Sequence, residues 1–177
     1  MTTQPIPDGA PRKPLLVIGA GIAGVTCALE AAEAGREVVL LEREAFIGGR
    51  VLRAHQYFPK LCPPSCGMEI NARRIERNPR VEVVTAARVT GATASDRGWS
   101  VTLTRAARHV NERCTLCGEC SKVCPARVPD PFNLGLVEVP AIRLAHAEAW
   151  PRRYTQASPP RRLPLLFSRV RPPMRFR

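Results

Sequence analysis

The chain has 177 residues, enough for one ordinary domain or for one domain and a small module, and its 45% hydrophobic content is that of a globular protein. Eighteen prolines and only 5% aromatic residues point to a substantial irregular portion. The net charge of +12 suggests a nucleic-acid partner until it is located: residues 151–177 hold eight arginines and no acidic residue, so residues 1–150 account for only +4.

The polar, proline-rich start MTTQPIPDGAPRKP lacks a signal-peptide core, and the apolar stretch from Leu15 is broken by glycine after four residues. No run of ~18 apolar residues offers a membrane span. Seven cysteines in a chain read as cytoplasmic favour metal or redox chemistry over structural disulfides.

Residues 1–14 read as a disordered lead-in. A strand over Leu15–Ile18, a glycine turn, a helix over about Ile22–Ala34, Gly35 as its cap and a strand over Glu37–Leu41 follow as a βαβ unit. Ile22, Val25, Leu29 and Ala32 share one helical face and form its expected buried stripe. Glu44–Pro64 reads as loop, and about Met68–Arg77 as a short helix. Arg80–Thr85, Arg88–Thr93 and Trp99–Thr104 read as strands, the last two joined by a turn at Asp96-Arg97-Gly98. Beyond the cysteine run, Val128–Pro131 is extended and Val137–Ala149 has no clear period, while the Pro/Arg-rich residues from Ser158 read as disordered.

Gly19-Ala20-Gly21-Ile22-Ala23-Gly24 is a G-x-G-x-x-G turn between that strand and that helix. Gly19 permits the turn, Gly21 lets backbone approach a pyrophosphate, and Gly24 lets helix and strand pack closely, while the helix N-terminus offers free N–H groups to phosphate. The second strand ends in Glu42, 23 residues after Gly19, where a carboxylate can accept from ribose hydroxyls. Six residues further on, Gly48-Gly49-Arg50 resembles the second glycine element of flavoproteins with two dinucleotide-binding domains, which makes FAD the expected ligand. The expected FAD site is therefore Gly19, Gly21, Ile22, Ala23, Gly24, Glu42, Arg43, Gly48, Gly49 and Arg50.

Cys114-x2-Cys117-x2-Cys120-x3-Cys124-Pro125 has the spacing that holds [4Fe–4S] clusters. Three thiolates within seven residues wrap three corners of a cubane, and Gly118 eases the wrap. Zinc more often takes two separated cysteine pairs. Cys124 either closes this cluster or serves another. Cys62 and Cys66, in LCPPSCG, either complete a cluster, form a redox dithiol or are simply packed; ligation is the favoured reading. Cys27 reads as a small packing residue within the first helix, and His55, His109 and His146 have no paired ligand spacing. No catalytic side-chain constellation stands out, so the hard chemistry falls to cofactors.

The glycine fingerprint, then YFPKLCPPSCG, then ERCTLCGECSKVCP together resemble the family of heterodisulfide reductase A subunits, with the A subunits of quinone-interacting membrane-bound oxidoreductases the closest likeness. VPDPFNLGLVEVPAIRLAHAEAWPRRY is similar to that subfamily too, so the resemblance runs over roughly Leu15–Tyr154. It implies an α/β fold, a Rossmann-like FAD-binding βαβ unit and a small ferredoxin-like 4Fe–4S module, followed by the basic tail that composition reads as disordered. The expected boundaries are a lead-in over 1–14, an incomplete FAD domain over 15–107, the cluster module over 108–130, an extension over 131–157 and the tail over 158–177.

The resemblance further implies a cytoplasmic oxidoreductase subunit that moves electrons between flavin, clusters and partner subunits (heterodisulfide reductase B/C-like or quinone-oxidoreductase-like), with no nucleic acid and the membrane reached only through a partner. Family members continue further and complete the flavin domain later, whereas this chain turns into SPPRRLPLLFSRVRPPMRFR, which is expected of a truncated or frame-altered product. The rival reading is a non-catalytic iron–sulfur scaffold that docks partners without flavin.

Overall fold

A computed structural model describes residues 13–56, 59, 61–96 and 98–157. The expected disordered tail (158–177), all but two residues of the expected lead-in, and Arg97 of the expected turn lie outside them. Strand β1 (Leu15–Ile18), helix α1 (Ile22–Glu33) and strand β2 (Val38–Leu41) form the anticipated unit. A short 3-10 helix (Gly49–Arg53) and helix α2 (Ser65–Arg77) lead to strand β3 (Val81–Val84). The three strands form one parallel sheet in the order β1-β2-β3, Leu15 facing Val38 and Val38 facing Val81. Val38 and Leu40 of the central strand are buried under the helices, and Leu41 is buried in a second, smaller cluster.

Helix α1 buries Val25, Ala28, Leu29 and Ala32 against the sheet, and α2 adds Met68 and Ile75, two helical turns apart. Each large apolar side chain so buried contributes ~1.5–3 kcal/mol. Three expectations for α1 fail. Ile22 is 47% exposed because it opens the helix at the mouth of a cavity, where no layer covers it, and Ala28 takes its place in the stripe. Cys27 is exposed, since its position falls outside the stripe that faces sheet and α2. Ala34 rather than Gly35 caps the helix, and Gly35 follows at φ +85°. Helix α2 starts three residues before its expected first residue, with Pro64 at its N-cap, a place where the missing N–H costs nothing. Cys66 therefore lies in the first helical turn.

Strands β4 (Ala87–Ser95) and β5 (Gly98–Arg105) form an antiparallel hairpin with an irregularity between Val89 and Gly91. Only Ala87 and Leu103 of it are buried, on a small cluster with Leu41. The cysteine run follows, holding the one-turn helix α3 (Glu119–Lys122). Strand β6 (Arg127–Pro129) pairs antiparallel with β7 (Glu138–Pro140), and β8 (Ile142–Arg143) with β9 (Thr155–Gln156). The β6–β7 pair crosses the boundary expected at 130/131.

The segment from 131 returns to the Rossmann-like unit. Ile47 N–H donates to Glu148 O at 3.1 Å, Trp150 N–H to Ala45 O at 3.1 Å, and Thr85 Oγ1 to Trp150 O. Phe46, Phe132 and His146 pack together with ring centroids 4.8–6.0 Å apart, the two phenylalanines edge to face. No described helix is long and apolar enough to cross a membrane.

Candidate cofactor sites

The turn after β1 is built by glycines, as its spacing predicts. Gly19 has φ +97°, a backbone state that side chains rarely adopt. A Cβ on Gly24 would stand 1.8 Å from Gly19 O, so this position admits no side chain while α1 lies against the turn. A Cβ on Gly21 would meet nothing within 4 Å, which leaves that space to a ligand. The second glycine element folds onto the first: Gly48 N–H donates to Ala20 O at 2.6 Å, and a Cβ on Gly49 would lie 3.1 Å from Gly21 Cα.

Glu42 is buried at 7% exposure and braces this corner. Its Oε2 accepts from Ala20 N–H at 2.7 Å and its Oε1 from Glu44 N–H at 2.9 Å. Each carboxylate oxygen keeps a second lone pair, so the group can fix the glycine turn and still accept from a ribose hydroxyl.

Two cavities adjoin here and share Ile18, Gly19 and Arg50. One, of about 430 Å³, runs over the end of β2 past Glu42, Arg43 and Gly49. The other, of about 380 Å³, lies over the start of α1 against Gly21, Ile22, Ala23, Gly24 and Gly48. The ten residues expected for the nucleotide are thus divided between the linings of these two adjoining cavities. Phe46, Arg53 and the stretch Ala87–Val89 line it as well and were missed, because no motif marks them and only the fold brings β4 to the end of β2.

The cysteine run is wrapped tightly by backbone in the left-handed region, at Leu116 (φ +62°) and Gly118 (φ +83°). Backbone N–H groups of Tyr154 and Leu116 directed at Cys114 hold its thiol below the ordinary value. The N–H of Ile142, from β8, does the same for Cys124. Donors aimed at sulfur favour the thiolate, which is the form that ligates iron, so these residues fit a cluster. Ile142 and Tyr154 are far from the run in sequence, and nothing in their identity announces a backbone contact.

Cys27, Cys66, Cys114, Cys117, Cys120 and Cys124 are free thiols. Among the described residues no three Cys, His, Asp or Glu side chains are grouped to hold one metal ion. A cubane's cysteines each ligate a different iron, so they stand further apart than the ligands of a single ion. Cys62 and Cys66 sit just before and within the first turn of α2, with Cys66 exposed. His146 is no ligand here: it stacks on Phe46 and Phe132, and its Nδ1 accepts from Glu148 N–H at 3.1 Å.

Comparison with known families finds a match for two stretches of the chain. Residues 17–84 match the family described as an NAD(P)-binding Rossmann-like domain, and residues 107–130 the 4Fe-4S binding domain. About four-fifths of the chain is similar to the A subunits of heterodisulfide reductases, as its motifs led one to expect. It is 38% identical to the iron-sulfur A subunit of the CoB–CoM heterodisulfide reductase of Methanocaldococcus jannaschii, over 81% of this chain and 22% of that protein. It is 34% identical to the A subunit of the ferredoxin:CoB-CoM heterodisulfide reductase of Methanosarcina acetivorans, over 78% of this chain and 18% of the relative. A protein of Archaeoglobus profundus described as like the heterodisulfide reductase A subunit is 35% identical, over 78% of this chain and 20% of its own length. The chain thus spans about a fifth of the length of the curated relatives it matches.

Proposed function

We propose that this chain is an FAD- and [4Fe–4S]-bearing electron-transfer part of an oxidoreductase of the heterodisulfide reductase A type, working with other subunits of a redox complex. The observation that carries the reading is the pair of adjoining cavities over the two glycine elements, whose linings between them include the ten residues expected for the nucleotide. When bound, FAD exchanges electrons singly or in pairs and a [4Fe–4S] cluster exchanges them one at a time.

The chain's own residues hold and orient. Gly21 and Gly49 leave room for a pyrophosphate at the N-terminus of α1, where free N–H groups and the helix dipole favour negative charge. Arg50, which lines both cavities, adds a cation. Glu42 keeps the glycine turn in register through Ala20. Cys114, Cys117, Cys120 and Cys124 are the cluster ligands, Cys114 and Cys124 receiving N–H groups from outside the loop. Cys62 and Cys66, set at the start of α2, remain ligands of a further centre in this reading. The return of residues 131–157 onto Phe46 and Thr85 ties the segment that follows the cysteine run to the nucleotide-binding unit.

Flavin titration of wild type against Gly21→Val tests the reading. Wild type is expected to bind FAD stoichiometrically and the variant to lose most of it. A wild type that takes up no FAD on reconstitution, yet retains iron, would leave the flavin-free scaffold in its place.

A further inference from the structure

Arg53 ends the 3-10 helix that the second glycine element opens at Gly49. Residues three apart eclipse in such a helix, so Arg50 and Arg53 lie on one side of it, and both line the cavity of about 430 Å³. The charged side chains of that lining are Glu42, Arg43, Glu44, Arg50, Arg53 and Arg88. The Glu42 oxygens accept from backbone N–H groups, and Arg43 Nε stands 3.3 Å from Glu44 Oε1. Among the described residues no carboxylate pairs with Arg50, Arg53 or Arg88. The cavity therefore holds more positive charge than its own carboxylates neutralise, which suits an anionic ligand.

Of these three cations, Arg53 is the one whose guanidinium is held by a hydrogen bond and a ring among the described residues. Its Nη2 donates to Pro131 O at 3.2 Å, and its guanidinium carbon lies 5.7 Å from the centroid of the Phe132 ring. Both partners belong to the segment that follows the cysteine run. Phe132 is itself fixed: its N–H donates to Asp130 Oδ1 at 3.1 Å, and its ring meets edge to face with Phe46, a buried residue of the same cavity lining. Pro131 O takes one N–H of the guanidinium and leaves the rest of its donor fork to a ligand. A side chain held in place beforehand loses less freedom when the ligand arrives.

We propose that Arg53 is a further cofactor-binding residue, a cation presented to the dinucleotide by Pro131 and Phe132, so that the segment after the cysteine run sets flavin affinity through it. The inference rests on the flavin reading above and deepens it. The diphosphate of the dinucleotide supplies the negative charge that the cavity lacks. Coupling between two binding events is reciprocal, so bound FAD in turn strengthens the seat of Phe132 against Arg53 and Phe46.

Titration of FAD into the full chain, prepared without oxygen and repeated at low and high salt, tests it. Arg53→Gln is expected to weaken FAD about tenfold, the size of one lost charge-assisted hydrogen bond, and to flatten the dependence on salt. Arg53→Lys should recover most of the affinity. Phe132→Leu keeps an apolar side chain against Phe46 and removes the ring beneath the guanidinium, so alone it should weaken FAD by a few-fold. Combined with Arg53→Gln it should add nothing, because its effect runs through Arg53. Wild-type affinity and salt dependence in Arg53→Gln would overturn the proposal, as would a Phe132→Leu loss that persists undiminished in the Arg53→Gln chain. A wild type that takes up no FAD would instead remove the flavin reading itself, and the wild-type titration tells the two failures apart.

Discussion

At the residue scale, two glycines of one motif do different work. Gly24 is demanded by packing, because its Cβ would collide with Gly19 O, whereas the space beside Gly21 is free of protein. Gly24→Ala is expected to cost ~3 kcal/mol or more as helix and strand are forced apart. Gly21→Val, at an extended N-cap with φ −71°, should leave the melting temperature near wild type while flavin is lost. Thermal unfolding beside flavin titration separates these; equal destabilisation by both would mean that Gly21 serves packing too. Glu42→Gln removes the charge and turns an amide NH2 towards a backbone N–H, since both carboxylate oxygens accept from backbone. A loss of ~1–3 kcal/mol in unfolding free energy is expected, with weaker flavin binding, and chemical denaturation reads it.

At the scale of elements, what was legible in the sequence was local. β1, α1 and β2 lie within a residue or so of their expected bounds because glycine chemistry and a 3.6-residue apolar period fix them without distant help. Ile22 and Cys27 were misjudged because burial depends on what covers a helix, and periodicity is blind to that. Val137–Ala149 is ambiguous in sequence, and the conformation of that stretch comes from long-range partners: Trp150 to Ala45, Ile47 to Glu148, His146 against Phe46 and Phe132.

That stack has its own pH signature. Burial holds His146 below its usual 6.5, so the unfolded chain takes up the proton first and stability falls as pH drops through 6.5 towards the lowered value. Glu148, raised by burial and by Glu69, works in the opposite sense at lower pH, above the ordinary carboxylate range. His146→Phe should keep the ring contacts and flatten the fall in melting temperature between about pH 7 and 5.5, the interval around the ordinary histidine value. An unchanged slope would mean that His146 does not titrate there.

At the scale of the whole molecule, the segment beyond the cysteine run ties the two candidate cofactor sites together. It supplies N–H groups to Cys114 and Cys124, accepts from Thr85 and Arg108, and packs Phe132 on Phe46. A chain ended after Asp130 is therefore expected to melt at lower temperature and to lose most of its iron, although every cysteine of the run is present. Full retention of iron by that truncation would show the run to be self-sufficient. Within the run, Cys117→Ser should abolish the cluster, because a serine hydroxyl is a far poorer ligand for iron than a thiolate.

The central claim is that one polypeptide carries both a flavin and a cubane cluster. Its most direct test is the simultaneous determination of iron, acid-labile sulfide, zinc and flavin in protein purified and reconstituted without oxygen. About four irons and four sulfides per chain are expected from the run alone, with more if Cys62 and Cys66 hold a second centre, together with one FAD. Zinc without sulfide, or a flavin content near zero at full iron, would contradict it.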